Sequence, residues 1–249
     1  MDKTVLALVA HPDDAEFMCM GTLALLHKNG WDVHIATMTP GDCGSMEMSR
    51  EEISKVRRGE AAAAAKLLDG KYHCLECDDV FVMYDRETLL KAIKLIREVR
   101  PSLVFAPSPD DYMVDHEMTS KVAWMACFGA GIPNVSTPGV KPAGHVPYLY
   151  YVDPLEAKDK LGKAIVASCY VDVSSMIDLK VKMLCCHASQ RNWLMAHHGI
   201  DEYTASLKKH GAMRGGEIGV NYAEAFRQHL GNAFPQDNIL KTELNKLVK

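Results

Sequence analysis

Four ionisable side chains crowd into six residues near the start of the chain: His11, Asp13, Asp14 and Glu16. They follow Thr4 to Ala10 (TVLALVA), an uncharged apolar run that reads as a buried parallel strand. Polar groups placed just past such a strand stand at its carboxyl end, where open α/β sheets build their sites. A borderline cation such as Zn²⁺ accepts imidazole nitrogen and carboxylate oxygen together; Fe²⁺ and Co²⁺ accept the same donors. His11 and Asp14 are the candidate ligands, able to turn toward one point across the bend at Pro12. Asp13 is then left beside the metal, free to take a proton. Two ligands with a spare carboxylate are the arrangement that metal-assisted hydrolysis uses. The competing reading is helix capping, with Asp13 or Asp14 as N-cap and Glu16 in the first turn. Capping accounts for one or two acids, but not for the histidine and the acid pair together.

The elements that must position these groups alternate along the first half. Gly21 to Lys28 has helical character and stops at Asn29-Gly30. Trp31 to Thr39 is a second strand, opening into the flexible loop Gly41-Asp42-Cys43-Gly44-Ser45. A strong helix spans Glu51 to Leu68, Tyr72 to Cys77 is a short strand, and Arg86 to Val99 is a further helix. Ser102 to Pro107 is again a buried strand. This order predicts an α/β, Rossmann-like, mostly parallel sheet with helices on both faces. After residue 128 the pattern becomes irregular. Residues 129–147 read as a mobile loop or lid, Tyr148 to Val152 and Ile165 to Val173 as strands, and Ser174 to Gln190 as one helix. His197 and His198 point apart if helical and are expected at the surface.

A second polar cluster, Asp110 to Glu117, follows the strand that ends at Pro107. Strands ending on one edge of a sheet would bring His116 to His11. With water in the open position, His116 completes three protein ligands. The competing reading makes Asp115 a helix cap beside an incidental histidine.

The stretch Ala10 to Glu16 (AHPDDAE) resembles the AHPDDxE signature of the PIG-L/LmbE-like zinc-dependent de-N-acetylases, which remove acetyl groups from N-acetylglucosamine units. The resemblance implies zinc on His11 and Asp14 with Asp13 as general base. Met113 to His116 is similar to the family's HPDH motif, which makes His116 the third ligand and leaves Asp115 behind the ligands. Met113 departs from that motif, and a thioether serves poorly where relatives use a histidine for the oxyanion or the leaving amine, so either another group takes the role or the substrate differs. His187, in an HxSQ-like element, and Tyr112 are the candidates for that role. His187 is preferred, within a few ångströms of the metal's open position. Arg57 matches a family arginine that contacts substrate, with Arg58 as fallback; otherwise it sits on a solvated charged face. Glu224, in a YAEAFR stretch read as helical, is a candidate to reach the site. The family's trimers and hexamers make a homo-oligomer possible.

Composition bounds the rest. A chain of 249 residues, 48% hydrophobic and 24% charged, suits one α/β domain over residues 1–249. A net charge of −4 carries no electrostatic footprint for nucleic acid. No apolar run approaches the ~20 residues needed to span a bilayer, and the N-terminus lacks a basic n-region, so a cytoplasmic location is expected. The eight cysteines include one CxxC without a second, and free thiols are expected. The acids of the first βα turn would repel a pyrophosphate, which excludes dinucleotide binding. The expectation is a zinc-dependent hydrolase that deacetylates an N-acetylated amino sugar or related small amide. The alternative is a non-catalytic metal-binding scaffold or sensor on the same fold.

Overall fold

The strand β1 (Thr4–Val9) forms the middle of the molecule because both of its faces are apolar. Val5, Ala7 and Val9 enter one buried cluster, and Leu6 and Leu8 enter another. In this computed structural model, residues 2–198 and 201–249 are described, without the side chains of 193, 194 and 196–198. Histidines 197 and 198 therefore fall outside the described side chains.

β1 is followed by α1 (Asp14–Met18), α2 (Met20–Lys28), β2 (Asp32–Thr37), α3 (Arg50–Lys66), β3 (Lys71–Cys74), α4 (Arg86–Val99), β4 (Leu103–Ala106) and α5 (Val114–Gly129). The second half contains β5 (Tyr148–Val152), β6 (Cys169–Asp172), α6 (Ile177–Leu184), α7 (Ala188–His198), α8 (Glu202–Ile218), β7 (Ala223–Gln228) and α9 (Ile239–Leu244). Among the described residues, seven strands form one sheet in the order β3-β2-β1-β4-β5-β7-β6. β1 to β5 run parallel, and β7 pairs antiparallel with both β5 and β6. The mostly parallel, Rossmann-like sheet with helices on both faces is as expected. The carboxyl ends of β1, β4 and β5 lie side by side, so the segments after Val9, Ala106 and Val152 share one edge.

Three expectations for the second half are corrected. The expected helix from Ser174 to Gln190 is broken: α6 ends at Leu184, and α7 starts at Ala188. Tyr222 to Arg227 is largely strand, because Ala223 to Phe226 are all buried between β5 and β6, a burial that one helix face cannot give. The segment 129–147 is pinned rather than lid-like. Buried Arg97 donates to the carbonyls of Ala130, Ile132 and Val135 and to the Thr137 hydroxyl.

All eight cysteines are free. Among the described residues, no helix is long and apolar enough to cross a membrane.

Candidate metal centre

At the end of β1 the chain turns sharply through Pro12. Asp13 takes up φ 101°, a left-handed conformation that is strained for a residue with a side chain. It occupies the N-cap position of α1, yet its carboxylate caps no helix amide. The capping reading therefore does not account for it. Asp14 closes the turn: its Oδ2 accepts from the amides of Ala10 (3.1 Å) and His11 (2.8 Å).

His11, Asp14 and His116 each offer one donor atom within 4.8 Å of one another. His11 Nδ1 lies 3.6 Å from Asp14 Oδ2, and His116 Nε2 lies 3.5 Å from Asp14 Oδ1. The rear nitrogens are held by carboxylates. His11 Nε2 is 3.1 Å from Asp79 Oδ1 and 3.3 Å from Asp115 Oδ2, and His116 Nδ1 is 3.1 Å from Asp111 Oδ1. Metal-ligating histidines are oriented by such partners. Asp115 is itself fixed by the amides of Val80 and Val82. His116 Nε2 is buried and, among the described residues, has no hydrogen-bond partner. An orphaned imidazole nitrogen facing a second imidazole and a carboxylate fits a divalent cation.

The charges follow the same logic. Burial works against protonation of His11 and His116, but the acids around them outweigh it. His11 is raised well above its ordinary value, and His116 to about 10. Burial disfavours charge on Asp14 too, yet the two imidazoles hold it well below the carboxylate range. Without a metal, protons supply the positive charge that the acids demand.

Asp13 stands beside this triad at the rim of a cavity of about 290 Å³. The cavity is lined by Val9, Phe17, Met18, Pro107, Tyr112, Val152, Leu155, Tyr203 and Ser206, with acids Asp13, Asp14, Asp111, Asp153 and Glu202 and with His116. No lysine or arginine is among these residues. Burial raises the Asp13 pKa, while Arg57, His187 and a hydrogen bond from Tyr203 oppose the rise.

The other expected site residues are distributed differently. Tyr112 lines the cavity, its ring edge-on to His116 with centroids 5.6 Å apart. Met113 is not among the lining residues. Arg57 is corrected as a substrate contact: it is buried, donates to the carbonyls of Pro12 (2.7 Å) and Gly41 (3.3 Å), and reaches Asp13 Oδ2 at 3.5 Å. It holds the Asp13 turn from behind. Arg58 pairs with Glu76 away from the cavity. His187 is corrected as a direct oxyanion donor. It sits in the break between α6 and α7 with no exposed surface, and its Nε2 faces Glu16 Oε2 at 3.5 Å. Glu224 is also corrected. Its carboxylate is buried at the start of α2, accepting from the Gly21 amide, the Thr22 amide and hydroxyl, and Lys180.

Sequence reasoning missed Tyr203 and the two acids Asp79 and Asp111. None lies in a motif, and long loops and helices separate Asp79 and Tyr203 from the ligands. Asp111, five residues before His116, was the one within reach of inspection.

With the geometry in place, comparison with known proteins places the chain. The family profile described as PIG-L, GlcNAc-PI de-N-acetylase, matches residues 6–127. These residues carry a PIG-L domain. The matched segment carries all three candidate ligands and Asp13. Over its wider length the chain is similar to proteins of two activities. 4-Oxalmesaconate hydratase of Pseudomonas putida is 25% identical, with 94% of this chain and 90% of that protein covered. Diacetylchitobiose deacetylase of Thermococcus kodakarensis is 28% identical, covering 76% of this chain and 70% of that protein. Among solved structures, N,N'-diacetylchitobiose deacetylase from Pyrococcus horikoshii superposes with a TM-score of 0.78 at 27% identity. That match covers 91% of this chain and 84% of the other.

Proposed function

We propose that this PIG-L protein is a metal-dependent amidohydrolase that removes the acetyl group from an N-acetylated amino sugar, with zinc as its metal. The observation that carries the reading is the Asp13 carboxylate, held uncapped in a strained turn beside three convergent ligands at the edge of a cavity. A divalent cation on His11, Asp14 and His116 would acidify a water and polarise the acetyl carbonyl. Asp13 takes the proton of the attacking water and returns it to the departing amine. Its raised pKa suits this role, since a more basic carboxylate is a better proton acceptor. Asp111, Asp79 and Asp115 keep the ligand imidazoles in one tautomer and one orientation. Arg57 and His187 bear on the Asp13 carboxylate from the buried side. Tyr112 offers the cavity a phenol donor in the loop that has Met113 in place of the usual histidine, and we assign it to the carbonyl oxygen.

The hydratase relative supports a second reading, addition of water across a conjugated carbon–carbon double bond. Activated water and a carboxylate base serve both reactions. The cavity lining favours the first reading, because none of its residues is a lysine or arginine that would bind the carboxylates of a polycarboxylate substrate.

Metal-supplemented protein is expected to release primary amine from diacetylchitobiose or N-acetylglucosamine, detected with an amine-reactive dye. An unsaturated oxo-dicarboxylic acid should keep its ultraviolet absorbance. Asp13→Asn should bind metal normally and lose roughly 10²-fold or more in kcat. Hydration without amine release would replace the first reading by the second. Metal binding with neither activity would leave the scaffold.

A further inference from the structure

The sequence motifs account for one side of Asp13, and the other side is built by a residue 190 positions away. Tyr203, in the first turn of α8, donates its hydroxyl to Asp13 Oδ2 at 2.6 Å. That is the length of a strong O–H···O⁻ bond. The ring is 8% exposed and packs with Leu184 and Leu207 against Phe17, Ile177 and Val181. The start of α8 is itself anchored. Asp201 accepts from the Thr204 amide as N-cap and from Arg191 Nη2 at 2.6 Å, which ties α8 to α7. Ring and hydroxyl are thus placed by packing and by an ion pair, not by the motif they serve. Arg57 Nη2 approaches the same oxygen, Oδ2, at 3.5 Å. Among the described residues, no hydrogen bond reaches Oδ1.

We propose that Tyr203 is a positioning residue that fixes Oδ2 of Asp13 and thereby makes Oδ1 the oxygen that exchanges protons with the attacking water. A carboxylate whose two oxygens are interchangeable by rotation presents its lone pairs to water only part of the time. Clamping one oxygen from the buried side turns the other toward the cavity and removes that rotation, a gain in orientation rather than in binding. The role explains why a tyrosine hydroxyl is placed at the cavity wall with, among the described residues, a carboxylate as its one hydrogen-bond partner. It also explains why Asp13 tolerates its strained backbone: the side chain is held at Oδ2 while Arg57 holds the preceding carbonyl. The inference rests on Asp13 acting as base and holds for either water-addition chemistry.

The test pairs spectroscopy with kinetics on the metal-loaded protein. In proton NMR, the Tyr203 hydroxyl should give an exchange-protected resonance downfield of the amides, absent from both Tyr203→Phe and Asp13→Asn. Tyr203→Phe keeps the ring, so metal content and melting temperature should match wild type. Its kcat should fall about tenfold or more, the loss expected for a hydrogen bond to a charged group, while KM stays within about twofold. A structural role alone would lower the melting temperature and leave kcat unchanged. An unchanged kcat, or a wild-type spectrum without the resonance, overturns the proposal. If the wild type releases no amine but hydrates an unsaturated acid, the deacetylase reading fails and the same kcat comparison is made on hydration. If it does neither, the resonance and its loss in both variants decide the contact.

Discussion

At the scale of single residues, the site depends on carboxylates that touch imidazoles rather than substrate. Asp115 and Asp79 share His11 Nε2, and Asp111 holds His116 Nδ1. Replacing either backing acid by its amide leaves the ligand set intact but loosens the tautomer and tilt of the ring. Asp111→Asn and Asp115→Asn are therefore expected to weaken divalent-metal affinity by about 10- to 100-fold, measured by competition with a chromogenic chelator. Wild-type affinity in both variants would mean that ring packing alone orients the ligands. Glycine chemistry acts at the same scale. A Cβ on Gly41, which has φ +70°, would lie 2.3 Å from Arg57 Nη1, and one on Gly44 would lie 2.4 Å from it. The loop after β2 is glycine-rich because the guanidinium that supports the Asp13 turn fills its inner side.

At the scale of elements, the C-terminal strand secures the helix behind the site. Glu224 on β7 satisfies the first amides of α2 and pairs with Lys180 of α6 at 2.5 Å, with both side chains at most 3% exposed. Removing one member of a buried pair leaves an uncompensated charge. Glu224→Gln should thus cost about 3–5 kcal/mol of stability, read as a lower midpoint in urea unfolding. Activity per folded molecule should be unaffected, because this carboxylate lies outside the cavity. Lost activity at full stability would restore Glu224 to the site. α3 is set by local chemistry instead: Ser49 and Glu52 form a reciprocal capping box, and this fixes where the helix carrying Arg57 begins.

For the whole molecule, acid sensitivity has an identifiable source on the β2–β3 edge. His34 Nδ1 lies 2.9 Å from His73 Nε2, and the rings stack with planes 7° apart. Burial, then the charge of His73 and of Lys71, pushes His34 down to about 4. Its folded pKa is below the unfolded value of about 6.5, so between these values the unfolded chain binds more protons. The neutral pair's stability is present above about pH 6.5 and is lost as pH falls toward 4. The melting temperature of wild type should decline across that window more steeply than that of His34→Gln. Parallel curves for the two proteins would assign the acid lability elsewhere.

The amino-acid sequence alone determined the parallel sheet and picked out the candidate metal triad, and the reason is locality. Short uninterrupted apolar runs such as TVLALVA read as strands buried on both faces, and the groups just after them then stand at the sheet's carboxyl edge. His11, Asp13, Asp14 and His116 all sit within such post-strand segments, and the family signature falls on the same residues. Local reading failed where contacts span long separations. Glu224 stands in a family-like stretch yet points into the core, since a strand between two others buries both of its faces. Arg57 lies on a helix whose outer positions are charged, and only the fold shows that its face meets Pro12 and Gly41. His187 has the residue type of a catalytic donor, but the break between α6 and α7 seals it behind Asp13. Tyr203 carries no motif at all. Its hydroxyl reaches Asp13 because α8 packs against α6 and α1, a placement that tertiary packing makes and no periodicity records.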